Sequence, residues 1–225
     1  MNGPGEDKGV LVRVWDLPTR LFHWTLLVLI VVQFASAEFH LLDMRWHFWS
    51  GYAILALVLF RILWGFFGSQ TSRFVEFVRG PRAVLNYLRA AATNARSTVG
   101  HNPLGGWSVL ALLTCIALQS VTGLFASDDI DTDGPFTGLV SQRTVKLMTR
   151  LHDWNQNVLL ALIGLHVVAV LLYWLLKHEN LTVPMITGRK RAPAISLRFT
   201  KDWVALGLLA LSAAVVGACV AWFGG

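Results

Sequence analysis

The chain is 225 residues long, with 55% hydrophobic and 14% charged side chains and a net charge of +6. So apolar a composition excludes an ordinary water-soluble domain, and the longest apolar runs have bilayer-spanning length. The positive charge is gathered in particular connections rather than on one continuous surface, which excludes nucleic acid as the partner and makes membrane lipid the surroundings.

The first twenty residues are polar and include Asp7 and Asp16. No small-residue cleavage pattern follows the first apolar run, so that run reads as a retained span rather than a signal peptide. Apolar runs follow at 21–39, 47–67, 104–126, 151–176 and 203–223. None alternates with period two, and backbone groups in lipid must be satisfied internally, so each reads as a helix. The expected fold is an all-α integral membrane protein: a four-helix transmembrane bundle plus a fifth C-terminal transmembrane helix. The expected organisation is an N-terminal segment 1–20, a four-helix domain 21–177, a basic linker 178–201 and the fifth helix 202–225.

Between the second and third spans, Phe74, Phe77, Val78, Val84, Leu85, Tyr87 and Leu88 are interleaved with five arginines. This pattern predicts a helix on the inner leaflet over about 73–96, broken or started at Gly80-Pro81. The fifth span carries no histidine and many small residues, including Gly207, Ala210, Ala214 and Gly217, which suit close helix packing.

Charge sets the orientation. With the N-terminus in the cytoplasm, fourteen lysines and arginines fall inside, among them Arg13, Arg20, Arg73, Arg79, Arg82, Arg189, Lys190 and Arg191. Only four fall outside: Arg45, Arg143, Lys146 and Arg150. The positive-inside rule then places the N-terminus in the cytoplasm and the C-terminus on the outer side. Of the ten tryptophans, Trp15, Trp24, Trp46, Trp64, Trp107, Trp174 and Trp203 lie near span ends and read as interface anchors. Trp46, Trp49 and Trp154 also flank histidines and are candidate pocket walls. Cys115 and Cys219 sit in apolar runs and read as buried, reduced thiols.

His152 and His166 are fourteen residues apart in one span. That is close to four helical turns, so both face one side, roughly 21 Å apart along the axis. In the predicted orientation His23 and His166 lie near the cytoplasmic side, and His47 and His152 near the outer side. Ionisable groups at membrane depth are costly and usually functional. Two pairs at two depths are what two stacked haems with paired axial imidazoles require. The chain has no Cys-x-x-Cys-His, so haem held here would lack thioether links and be b-type. Gly51 and Gly164 stand near His47 and His166, where a missing Cβ makes room for a porphyrin or for a helix. Arg61, the one basic residue deep in a span, either pairs with a haem propionate or snorkels to the inner headgroups. His101 and Asn102 open the third span, either as a helix start or as hydrogen-bonding groups for a quinone.

Asp129-x-Asp131-x-Asp133-Gly134 matches the start of a calcium loop, but Val140 stands at its twelfth position instead of glutamate. An acidic outer patch docking a basic redox partner is the better reading. The alternative to a haem protein is a histidine-based transition-metal transporter or channel, which would want its histidines at one depth with carboxylates beside them.

These residues resemble the bacterial di-haem cytochrome b membrane proteins, the type of bacterial cytochrome b-561 and the nickel-iron hydrogenase b-type subunit, over about 12–177. The carriers are Val14-Trp15-Asp16-Leu17-Pro18-Thr19-Arg20-Leu21-Phe22-His23-Trp24, Trp46-His47-Phe48-Trp49-Ser50-Gly51, Arg61-Ile62-Leu63-Trp64-Gly65, Gly100-His101-Asn102-Pro103-Leu104-Gly105, Leu151-His152 and Ile163-Gly164-Leu165-His166. The resemblance implies that His23, His47, His152 and His166 ligate two haems b. It implies electron transfer between membrane quinone and a c-type cytochrome or hydrogenase-like partner on the outer face. That role is an electron-transfer subunit or a quinone-linked oxidoreductase component of the bacterial inner membrane and respiratory chain, and oligomers are compatible with it. It adds weight to His101 and Asn102 as a quinone site.

Overall fold

The computed structural model describes residues 9–91 and 100–223. Its elements run β1 (Val10–Arg13), α1 (Leu17–Ala37), α2 (Met44–Phe67), α3 (Phe74–Phe77), α4 (Pro81–Ala91), α5 (Pro103–Gly123), α6 (Gln142–Lys177), α7 (Thr182–Thr187), β2 (Arg189–Ala192) and α8 (Asp202–Phe223). Helices α1, α2, α5, α6 and α8 are each long and apolar enough to cross a membrane. The all-α membrane bundle expected from the sequence is the fold observed.

Helix starts follow side-chain chemistry more closely than hydropathy. Asp16 caps α1 by accepting from Thr19 N at 2.7 Å, with Pro18 in the first turn, so α1 begins four residues before the apolar run. Asn102 caps α5 in the same way through Gly105 N, ahead of Pro103. Ser141 caps α6, which begins nine residues before the expected start because its polar first turns carry no hydropathy signal. That helix ends at His178, whose φ of 52° is left-handed.

Helix α2 is the centre of the bundle. It packs on α1, α5 and α8, while α6 packs mainly along α5. The apolar core joins Ile54 and Val58 of α2 to Leu113 and Ile116 of α5 and Leu159 of α6. Phe60 and Trp64 on another side of α2 receive Ala205 of α8. In lipid such contacts hold through packing and hydrogen bonds rather than water exclusion. The fifth helix is thus packed on the bundle, with Ser212 fully buried against it.

Two connections fold over one end of the bundle. The stretch expected as an inner-leaflet helix over about 73–96, broken or started at Gly80-Pro81, is the short α3 followed by α4 beginning at Pro81, after a 3-10 turn at Gln70–Ser72; residues 92–96 of that expectation lie outside the described residues. The N-terminal segment and the basic linker form an antiparallel ribbon in which Val10 faces Ala192 and Arg13 faces Arg189. The ribbon is closed by Val14 N and Trp15 N, which both donate to Gly188 O.

Three readings of side-chain placement are corrected. Trp64 is fully buried and Trp15 nearly so, so neither is an interface anchor. Trp46, Trp49 and Trp154 point outward and wall no pocket, being 52%, 68% and 66% exposed. Cys219 is exposed on the surface of α8, whereas Cys115 is partly buried.

Candidate functional site

The four membrane histidines meet in two facing pairs. His23 of α1 and His166 of α6 have ring centres 6.4 Å apart. His47 of α2 and His152 of α6 have the same 6.4 Å spacing. The pairing is the one expected from helix direction. It arises because α1 and α2 lie side by side while α6 faces them across a gap, and positions seven apart on α6 share a face. Leu159, midway between the two α6 histidines, fills that face with apolar packing.

The His47/His152 pair lines a cavity of about 400 Å³. Gly51, Tyr52, Ile54, Ile116, Gln33 and Gln119 contribute to its walls, and Glu38, Asp128 and Asp153 line it as well. Gln33 steadies the α2 side, donating from Nε2 to His47 O and Ser50 Oγ, each at 2.8 Å. On the α6 side the His152 Nδ1 lies 3.0 Å from Gln119 O. Asn155, one turn on and buried, donates from Nδ2 to Cys115 O at 2.9 Å and Gln119 Oε1 at 2.7 Å. Gly123 makes the close approach possible: a Cβ there would lie 2.9 Å from His152 Cε1. By contrast a Cβ at Gly51 would touch only Gln33 Nε2 at 3.4 Å, and one at Gly164 would meet open space.

Beyond the His23/His166 pair lies a buried polar cluster. Asp16 Oδ2 accepts from Trp64 Nε1 at 3.1 Å and from Ser72 Oγ at 3.2 Å. Arg61 is 3% exposed, donates from Nη1 to Ser72 O at 3.2 Å and lies over the rings of Phe74 and Phe77. It therefore does not snorkel to headgroups; the folded connection between α2 and α5 supplies its acceptor. Arg20, one turn before His23, has a buried Nε without a partner.

His101 is wedged between Trp15 and Phe77, with ring centres 4.7 and 4.6 Å away, and its buried Nδ1 has no partner. Burial first, and then the nearby Arg61 charge, push its pKa down to about 3, so its imidazole is neutral. Asn102 acts structurally, since Oδ1 caps α5 and Nδ2 donates to Tyr173 OH at 2.6 Å. The Tyr173 hydroxyl in turn pairs with that of Tyr87.

The acidic loop between α5 and α6 is held by Asp128, whose Oδ1 accepts from the backbone of Ile130, Asp131 and Thr132. These bonds hold its carboxyl below the usual range.

Among known families, that of the prokaryotic cytochrome b561 matches residues 14–188. The chain belongs to this family. It is a b-type membrane cytochrome of electron transfer, with haem b as cofactor and several passes through a bacterial membrane. As such it works within lipid and with redox partners. No curated protein and no solved structure matches the chain.

The residues of the cytochrome fit haem. Two metal–imidazole bonds of about 2.0 Å, each extended by the short distance from nitrogen to ring centre, span roughly 6 Å. The facing rings of both pairs stand at that separation.

Several contributors escape a reading of the sequence: Gln33, Gln119, Thr122 and Asn155, all polar residues in apolar helices. Their rarity at membrane depth is the available signal.

Proposed function

We propose that this cytochrome holds two haems b and passes electrons between a redox partner on its outer face and membrane quinone at its cytoplasmic end. The observation that carries the reading is the equal 6.4 Å spacing of two separate imidazole pairs. His23 and His166 ligate the inner haem, and His47 and His152 the outer one. Bound haem supplies one-electron chemistry, and imidazole ligation and burial tune its potential.

The chain's own residues orient and insulate. Gln33 and Asn155 fix the helices that carry the outer ligands. Gly51 and Gly164 leave room beside the porphyrins. Arg20, with its unpartnered Nε, is the cation we assign to a carboxylate of the inner haem; Arg61 packs behind that haem, and burial together with its charge keeps His101 neutral. His101 offers a neutral imidazole to the quinone, and Asn102 positions it at the start of α5. The uneven lysine and arginine distribution supports a cytoplasmic N-terminus, a periplasmic C-terminus and residence in the bacterial inner membrane as part of a respiratory chain. The functional unit is the four-helix part, 21–177, flanked by segment 1–20, linker 178–201 and helix 202–225; the family match ends before that last helix. A c-type cytochrome or hydrogenase-like protein is the expected outer partner, drawn by the Asp128 to Asp133 carboxylates.

The test is pyridine haemochrome quantification per polypeptide in detergent-purified protein, followed by mixing with quinol. Two haems b per chain, reduced by quinol, support the reading. One haem removes a histidine pair from it, and two haems inert to quinol remove the quinone.

A further inference from the structure

The two outer imidazoles are held differently. Both His23 and His47 leave Nδ1 without a partner, whereas His152 Nδ1 faces two oxygens, Gln119 O at 3.0 Å and Thr122 Oγ1 at 3.2 Å. Thr122 is 1% exposed. A threonine inside a membrane helix donates its proton to preceding carbonyls, and Thr122 Oγ1 lies 2.7 Å from Leu118 O and 3.1 Å from Gln119 O. Its single proton is thereby spent, and its lone pairs are left toward His152. A backbone carbonyl can only accept, so the contact with Gln119 O assigns the His152 proton to Nδ1 and leaves Nε2 as the unprotonated nitrogen. Gly123, with no Cβ to strike the ring, and Asn155, which pins α6 to α5, hold this approach in place.

We propose that Thr122 is a positioning residue of the outer haem: with Gln119 O it accepts the His152 Nδ1 proton and lowers that haem's reduction potential. The proposal rests on His152 being an outer-haem ligand. The physical reason is that an imidazole whose N–H is hydrogen-bonded is more basic and carries more negative charge. Such a ligand favours the ferric over the ferrous iron, which pulls the potential down. Gln119 contributes a backbone carbonyl that substitution leaves in place, so Thr122 is the part of the arrangement that side-chain chemistry can alter.

The experiment is an optical redox titration of the full-length purified protein for wild type, Thr122→Val, Thr122→Ala and Thr122→Ser, after haem content has been measured. The outer haem is identified as the one lost in His152→Ala. In Val and Ala its midpoint rises while the inner midpoint stays; Ser, which restores the oxygen, titrates as wild type. Because Ala adds no bulk, it answers the question if Val does not retain the haem. An unmoved outer midpoint in Val or Ala, equal movement of both haems, or a Ser variant that shifts like Val overturns the proposal. Retention of both haems by His152→Ala overturns the ligand reading instead, and so separates the two failures.

Discussion

The indole of Trp64, at the end of α2, donates to the carboxylate of Asp16, which precedes α1, at 3.1 Å. Both side chains are fully buried. The same carboxylate caps α1 through Thr19 N and accepts from Ser72 Oγ, and Arg61 is close enough to be attracted to it. One acidic residue thus ties the first two helices to the connection that leads to α5.

Removing that carboxylate is expected to be expensive. Asp16→Ala loses the cap and leaves the buried Trp64 Nε1 without an acceptor, while Ser72 keeps Thr19 and Arg61 keeps Ser72 O, a loss of about 2–4 kcal/mol. Asp16→Asn keeps the oxygen that caps α1 and should lose less. Thermal unfolding in detergent, followed by helical circular dichroism, checks the order. An Asp16→Ala protein as stable as wild type would mean that the cluster contributes nothing.

The histidine pairs predict selective haem loss. His47→Ala or His152→Ala should reduce the count from two haems to one, and so should His23→Ala or His166→Ala, with a different haem remaining. Spectra of the four variants should therefore fall into two matching sets. A variant that keeps both haems takes its residue out of the ligand set.

Gly106 lets the start of α5 lie against α3. A Cβ there would stand 2.5 Å from Phe77 O and 3.1 Å from Phe77 Cδ2. Backbone cannot swing aside as a flexible side chain does, so Gly106→Ala should destabilise by about 1–3 kcal/mol. Gly164→Ala, which meets open space within the protein, is the control for helix effects alone. Unfolding midpoints of the haem-free proteins compare the two, and equal midpoints would contradict the packing argument.

His101 predicts acid sensitivity. Its folded pKa of about 3 lies below the ordinary histidine value of 6.5, so between these values the unfolded chain binds the extra proton. Its contribution is constant above about pH 6.5, and stability is lost as pH falls from there toward 3. His101→Phe should flatten this part of the profile. Stability measured from about pH 7 to about pH 4 for both proteins isolates the difference, and parallel profiles would show that the ring is not held neutral.

Much of the site is legible in the sequence because membrane depth makes polar residues conspicuous. The four histidines and their pairing follow from spacing and helix direction, since α1 and α6 must run oppositely for the depths to match. Arg61 is equally conspicuous, yet its placement is not legible. Its partner, Ser72 O, belongs to a connection whose fold has no periodicity to betray it. Trp64 and Trp15 mislead for a related reason: their position at span ends resembles an interface belt, and only the buried acceptor and the packing partner show otherwise.

The sequence by itself determined the five spans and the relative depths at which imidazoles sit, because hydropathy and helical periodicity are properties of the chain read along its length. Only the tertiary structure decided which polar groups touch. The bond from His152 to Gln119 joins residues 33 positions apart, and that from Asp16 to Trp64 joins residues 48 apart. Such contacts depend on the rotation of each helix about its own axis. That rotation is set by packing among several helices at once, which no single stretch of sequence contains.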